Sequence, residues 1–415
     1  MINIINKYSK ILNDNRYLIF YTVSERIFFF LAFLIIARRF PTDTYGELIT
    51  VFSIANIFII LFDLGLPVLL QREVASGKES SSELASKILT LFALSFPVYF
   101  ISAATYSKIF FPDISFTIIT TVLLSVYFFS AGNLFNKILS GLNDFKSQFD
   151  VILKARLPAL ILLITAVFFS DSGLLIFLLI ILMSSLIQII FVFSAAKKHG
   201  LIFFFNGFKL KSTFSLVRLS LPLGMAVIFN FLYDKIDILL ISKLTDFDQA
   251  AYYNVAYGIY KSSSILFSFL FVSGFTEVSS IRNNKAALRS FFRKYSVLLI
   301  EICLALTIIL FFLSDQIVTL VYTDKFNDSA MILKILSVSL AGLALNNLTG
   351  IMLNGTGLFK ENMKITLSGL ILNVILNILL IPVYGIIASA VITILTEYFI
   401  FAGGYFYLNK FFKRI

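Results

Sequence analysis

Twelve stretches of about twenty mostly apolar residues follow one another along this chain. They lie near 17–37, 46–66, 86–106, 114–136, 151–169, 173–195, 219–242, 251–274, 295–313, 330–353, 365–383 and 386–408. A hydrocarbon core about 30 Å thick is crossed by roughly 20 helical residues. Lipid offers no water to an unpaired backbone group, so each stretch must satisfy its own amides as a helix. The succession predicts an all-α integral membrane protein with twelve transmembrane helices. Composition agrees: 59% of the residues are apolar and 14% charged, against about 45–50% and about 25% in soluble domains. The first stretch is followed by "ARRFP" and not by a small-residue cleavage site, so it reads as a span and not as a cleaved signal.

Basic residues orient the spans. With the N-terminus inside, roughly 25 of the 34 Lys and Arg fall in cytoplasmic segments and about five in outer loops, which places both termini in the cytoplasm. The net charge of +11 then reflects topology and not nucleic-acid binding. One cysteine, Cys303, precludes an internal disulfide. The lone histidine, His199, sits in "AKKHG" with no second ligand at metal spacing, so neither a metal nor a cofactor is expected.

Two segments match across the chain's midpoint. "NLFNKILSGLNDFK" from Asn133 aligns with "NLTGIMLNGTGLFK" from Asn347 at a constant shift, pairing Gly141 with Gly355 and Lys146 with Lys360. Both close the fourth span of their half. The reading is two pseudo-symmetric six-helix bundles, 1–200 and 219–415, joined by a cytoplasmic linker at 201–218. Transporters built from such repeats hold substrate at the repeat interface and work by alternating access.

Charges inside spans are costly, roughly 2.5–3.5 kcal/mol each at a helix centre, and mark pathways or ion pairs. "NFLYDKIDILLIS" holds Asp234, Lys235 and Asp237; the two aspartates stand about 60° apart on one helix face. "SERIF" places Glu25 and Arg26 in the first span. "YYNVAYGIYK" spaces Tyr253, Tyr257 and Tyr260 along the eighth, with Lys261 after them. Arg26, Lys261 and Lys235 are candidates for binding an anionic substrate beside the three tyrosines. Asp237, Asp234, Glu25, Glu301 and Glu397 are candidates for ion coupling, to a proton or a sodium ion alike. Structural ion pairing and helix packing stay open for each of them.

The layout, with "RRFPTDTYGELITVFSIAN" after the first span, "FDLGLPVLLQREVA" closing the second and "DILLISKLTDFDQAAYYNVAYGIYK" across the seventh and eighth, resembles the Wzx-type repeat-unit flippases of the MATE-related polysaccharide exporters. The resemblance implies a MATE-like fold and a carrier of undecaprenyl-pyrophosphate-linked oligosaccharide, such as an O-antigen unit for lipopolysaccharide biosynthesis. It implies membrane lipids, H⁺ or Na⁺, a polysaccharide polymerase and a chain-length regulator as partners. The protein is then no enzyme. A MATE-type drug or cation exporter is the alternative within transport, disfavoured by deep Arg26 and Lys261. The pathway's polymerase is the enzymatic alternative, disfavoured because no outer loop exceeds about twenty residues.

Overall fold

A computed structural model describes residues 16–76, 81–169, 173–201, 210–268 and 274–413, and every regular element among them is helical. In chain order these are α1 (Arg16–Arg39), α2 (Thr42–Asp63), α3 (Leu66–Ala75), α4 (Ser81–Phe110), α5 (Phe116–Gly141), α6 (Phe145–Val167), α7 (Leu174–Lys198), α8 (Leu210–Leu244), α9 (Phe247–Ser263), α10 (Ile265–Ser268), α11 (Gly274–Ser280), α12 (Lys285–Phe312), α13 (Ser314–Tyr322), α14 (Asp328–Ser337), α15 (Leu340–Gly355), α16 (Phe359–Tyr384) and α17 (Ile386–Lys413).

Eight of these, α1, α2, α4, α5, α7, α12, α16 and α17, are long and apolar enough to cross a membrane. The pair α14–α15, bent by 47° at its break, is long and apolar enough when taken together. α6, α8 and α9 take the remaining three of the twelve expected places, and they carry Arg156, the Asp234–Asp237 cluster and Lys261.

Three expected spans are not single straight helices. The stretch at 46–66 stops at Asp63, because Leu64 and Gly65 both adopt left-handed backbone (φ 51° and 77°), and α3 restarts beyond them. The stretch at 330–353 breaks between Ser337 and Leu340, where the Val338 and Ser339 amides close three-residue turns on Ile335 and Leu336. The stretch at 251–274 ends its first helix at Ser263, and residues 269–273 of it lie outside those described. So do residues 202–209 of the expected linker.

The sequence repeat is also a backbone repeat. α5 ends at Gly141 and α6 begins at Phe145; α15 ends at Gly355 and α16 begins at Phe359, at the same shift of 214. In the first turn the amides of Leu142, Asn143 and Asp144 bond the carbonyls of Ile138, Ser140 and Leu139. In the second, those of Thr356, Gly357 and Leu358 bond Met352, Asn354 and Leu353, each again 214 residues on. The long back-bond and the left-handed residue form a Schellman cap, which satisfies carbonyls that the helix end leaves open.

The chain divides into two compact units. One contains residues up to Pro41 and Val51–Ile228; the other contains Thr42–Thr50 and Phe229–Ile415. Within the second, the start of α2 is fixed to α8 and α9. Thr42 bonds Asp248, the Asn254 amide donates to the Tyr45 hydroxyl at 2.9 Å, and the Thr50 and Ser242 hydroxyls meet at 2.6 Å. Gly46 permits the approach: a Cβ there would lie 1.9 Å from the Phe247 carbonyl oxygen.

Candidate functional site

In the second unit, α8 and α9 run on from one another through a short turn at Thr245–Asp246, and Asp246 caps α9 by accepting from the Gln249 amide at 2.7 Å. The spacing in α9 then aims Tyr253, Tyr257 and Lys261 at α8. The Lys261 ammonium sits 2.6 Å from Asp234 Oδ1, and the Tyr257 hydroxyl donates to the same oxygen at 2.5 Å. Both charged side chains are about 30% exposed. Lys261 also lies over the Tyr257 ring at 5.3 Å, and Tyr257 stacks on Tyr253 with centroids 5.7 Å apart. Tyr260 is fully buried against Tyr257.

Asp237, one helical turn beyond Asp234, is buried and bound differently. Its Oδ2 accepts from the Tyr253 hydroxyl at 2.9 Å and its Oδ1 from the Asn377 amide at 3.1 Å, with Thr393 Oγ1 at 3.5 Å. Ser389 donates to Asn377 Oδ1 at 2.6 Å, and Asn377 also donates to Asn373. Neutral hydrogen-bond donors from α9, α16 and α17 therefore hold one carboxylate inside the protein. Glu397, 1% exposed, accepts from Asn346 at 2.9 Å and lies in the field of Lys261. Seven predicted site residues thus share one network: Asp234, Asp237, Lys261, Tyr253, Tyr257, Tyr260 and Glu397. Lys235 is half-buried and acts on Asp234 only through its field. Glu301 is exposed on α12 and stands apart from the network.

The first unit has its own buried polar cluster, centred on a residue the sequence reading did not single out. Arg156 of α6, 3% exposed, donates to Ser184 at 2.6 Å and to Gln188 Oε1 at 2.5 Å on α7. Its guanidinium lies 5.2–5.4 Å from the ring centroids of Phe28, Phe29 and Phe129. Gln188 passes the chain on to Asn133 Oδ1 at 2.8 Å. Glu25 joins beside Tyr21 and Asn133, in the field of Arg156, with its Oε1 buried and without a hydrogen-bond partner. Arg26, its neighbour, is exposed. A sequence signal for this cluster existed: Ser184 and Gln188, at i and i+4, are polar on one face of the most apolar span.

The fold defines an all-helical, multi-pass membrane protein of the MATE-like fold class. The chain belongs to the family described as polysaccharide biosynthesis protein, whose model matches residues 11–275. A second model, MatE, matches residues 222–379. Two solved structures share the fold. One is the lipid II flippase MurJ in an inward closed conformation, with TM-score 0.73, 17% identity, and 94% of this chain and 87% of that one covered. The other is an inward-facing multidrug resistance MATE family transporter, with TM-score 0.75, 13% identity, and 93% and 94% covered. Among curated proteins, the uncharacterized membrane protein MJ1068 of Methanocaldococcus jannaschii is 30% identical over 116 residues. A second from that organism, MJ1375, is 33% identical over 88. The matches span 22% and 21% of those proteins' lengths.

Proposed function

We propose that the chain is a flippase that carries an undecaprenyl-pyrophosphate-linked oligosaccharide from the cytoplasmic to the periplasmic leaflet of the bacterial inner membrane. Both of its termini are cytoplasmic and its two six-helix halves alternate access. It relocates a lipid-linked glycan and makes or breaks no bond. The observation that carries the reading is the Lys261–Asp234 ion pair, with side chains about 30% exposed, inside a membrane helix of a chain of the polysaccharide biosynthesis family. Lys261, Lys235 and exposed Arg26 supply positive charge to the pyrophosphate, and the tyrosines of α9 offer amphipathic faces to the glycan. Asp237 carries the coupling ion: a buried carboxylate in a membrane helix, held by neutral hydrogen-bond donors, is a place for a proton or a sodium ion. A MATE-type exporter is the second reading, favoured by the MatE match over residues 222–379.

The test is surface glycan display in cells lacking their own flippase. Lys261→Met should abolish display, and Lys261→Met with Asp234→Asn should restore protein abundance while display stays absent. Restored display in the double variant would show a purely structural pair. Unchanged display in every variant, with drug susceptibility altered instead, would favour the exporter.

A further inference from the structure

A second polar site lies on the first unit, away from the Arg156 cluster. α6 and α7 pack antiparallel along a seam that can be followed contact by contact. His199 meets Asp144 at 2.8 Å, and Lys154 reaches across to lie over the Phe191 ring at 5.5 Å. Between these two crossings lies a small open cleft lined by Ser147, Asp150, Lys154, Ser194 and Lys198 over an apolar floor of Val151, Ala195 and Phe191.

Its charges are not spent on each other. Asp150 and Lys154 stand at i and i+4, the spacing at which helix ion pairs close, and Glu83 and Lys87 on α4 do close at that spacing, at 2.6 Å. Among the described residues neither Lys154, Lys198 nor Asp150 makes an ion pair. Two ammonium groups and two hydroxyls therefore face one pocket, with one carboxylate beside them. Exposed apolar residues stand close along the same helices: Leu157 and Ile161 follow Lys154 at helical spacing on α6, and Ile190 precedes Phe191 on α7, each about half exposed or more. Cationic and hydroxyl donors lining one cleft, with exposed apolar side chains nearby on the same two helices, match a phosphate ester joined to acyl chains. Asp150 is placed for a hydrogen-bond donor on the same head group.

We infer that the α6–α7 pocket binds the phosphodiester head group of an anionic glycerophospholipid, with Lys154 and Lys198 on the phosphate and Asp150 on a head-group hydroxyl. The inference rests on the flippase reading only for which leaflet the lipid comes from. Binding in detergent has no sidedness, so it can fail or succeed independently of transport.

The experiment is native mass spectrometry of the purified full-length chain titrated with palmitoyl-oleoyl phosphatidylglycerol, against phosphatidylcholine of the same chains, glycerol 3-phosphate and inorganic phosphate. Phosphatidylglycerol should be retained over phosphatidylcholine, which carries no donor for Asp150. Lys154→Gln with Lys198→Gln should weaken retention roughly tenfold or more. Lys285→Gln with Lys294→Gln, the same charge loss on α12, should leave it unchanged. If the double variant does not yield monodisperse protein, Lys154→Gln alone should show a smaller loss in the same direction. Equal loss from the α12 control would mean diffuse basic charge, and equal retention of glycerol 3-phosphate or inorganic phosphate would mean a soluble phosphate site. Either result overturns the lipid assignment, as does retention unaffected by the Lys154 and Lys198 changes.

Discussion

Asn143 and Gly357 occupy the same left-handed position in two turns 214 residues apart, with φ of 56° and 87°. One turn uses a residue that merely tolerates this backbone, the other the residue that adopts it freely.

That difference predicts opposite outcomes for the two sites. A Cβ at Gly357 meets nothing within 4 Å, so Gly357→Ala is costly through backbone strain alone. It should destabilise by about 1 kcal/mol. Asn143→Gly should be neutral or slightly stabilising. Thermal unfolding of the purified protein in one detergent checks both; a destabilising Asn143→Gly would show that the asparagine side chain, and not the turn, matters there.

The two deep arginines should part company. Arg156 is buried among three phenylalanine rings and two hydrogen-bond acceptors, whereas Arg26 is exposed. Removing Arg156 leaves Glu25 and Gln188 without it in a dry site, a loss on the order of 3–5 kcal/mol. Arg156→Met should therefore lower protein abundance in the membrane, and adding Glu25→Gln should recover part of it. Arg26→Ala should leave abundance unchanged and reduce only glycan display.

Gly46 tests how α2 is anchored. A methyl group there would meet the Phe247 carbonyl oxygen at 1.9 Å, and neither backbone can yield without losing the Tyr45–Asn254 and Thr50–Ser242 bonds. Gly46→Ala should cost at least about 1–3 kcal/mol by overpacking. Gly173→Ala, where a Cβ meets nothing within 4 Å, is the matched control. Equal unfolding temperatures for the two variants would contradict the close approach.

Asp144 gives a pH dependence outside the spans. Burial alone would raise its pKa, but the Ser147 hydrogen bonds and the neighbouring His199 together hold it below the usual carboxylate value. A carboxyl group depressed on folding adds stability that is present above its unfolded value near pH 4 and is lost as pH falls through the lower folded value. The Asp144→Ala variant should therefore unfold at a lower temperature than the parent at pH 7, in line with a lost N-cap of about 1 kcal/mol. The gap should narrow below about pH 4. A gap that stays constant down to pH 3 would mean that the carboxylate charge contributes nothing.

The sequence was most legible where local rules act alone. Span positions follow from apolar length, and the repeat was visible in identical residues at one shift, Asn133, Leu134, Leu139, Gly141, Phe145 and Lys146 with their counterparts. The α8–α9 network was legible because charges inside a membrane helix cannot be neutral to stability. Sequence could not tell that Asp234 takes Lys261 while Asp237 takes Tyr253 and Asn377, since that depends on how α16 and α17 pack. Arg156 escaped for a related reason. It lies early in its span, where an arginine reads as interfacial, and its partners Ser184 and Gln188 come from a helix that looks uniformly apolar. The break after Ser337 was hidden because both pieces are apolar and no proline or glycine marks the joint.

The placement of Lys261 and Arg156 also bears on the order in which the nascent chain enters the bilayer. Lys261 follows its counter-charge: Asp234 is already present on α8 when α9 emerges, so the two helices can leave the insertion machinery as one neutral hairpin. Arg156 precedes its acceptors, because α7 with Ser184 and Gln188 is synthesised only after α6 is complete. A charge that costs roughly 2.5–3.5 kcal/mol in lipid must then wait at the aqueous boundary until the next helix arrives. Chains stalled between residues 167 and 184 should hold α6 exposed to water-soluble thiol reagents at an introduced cysteine, whereas chains released after Lys198 should protect it.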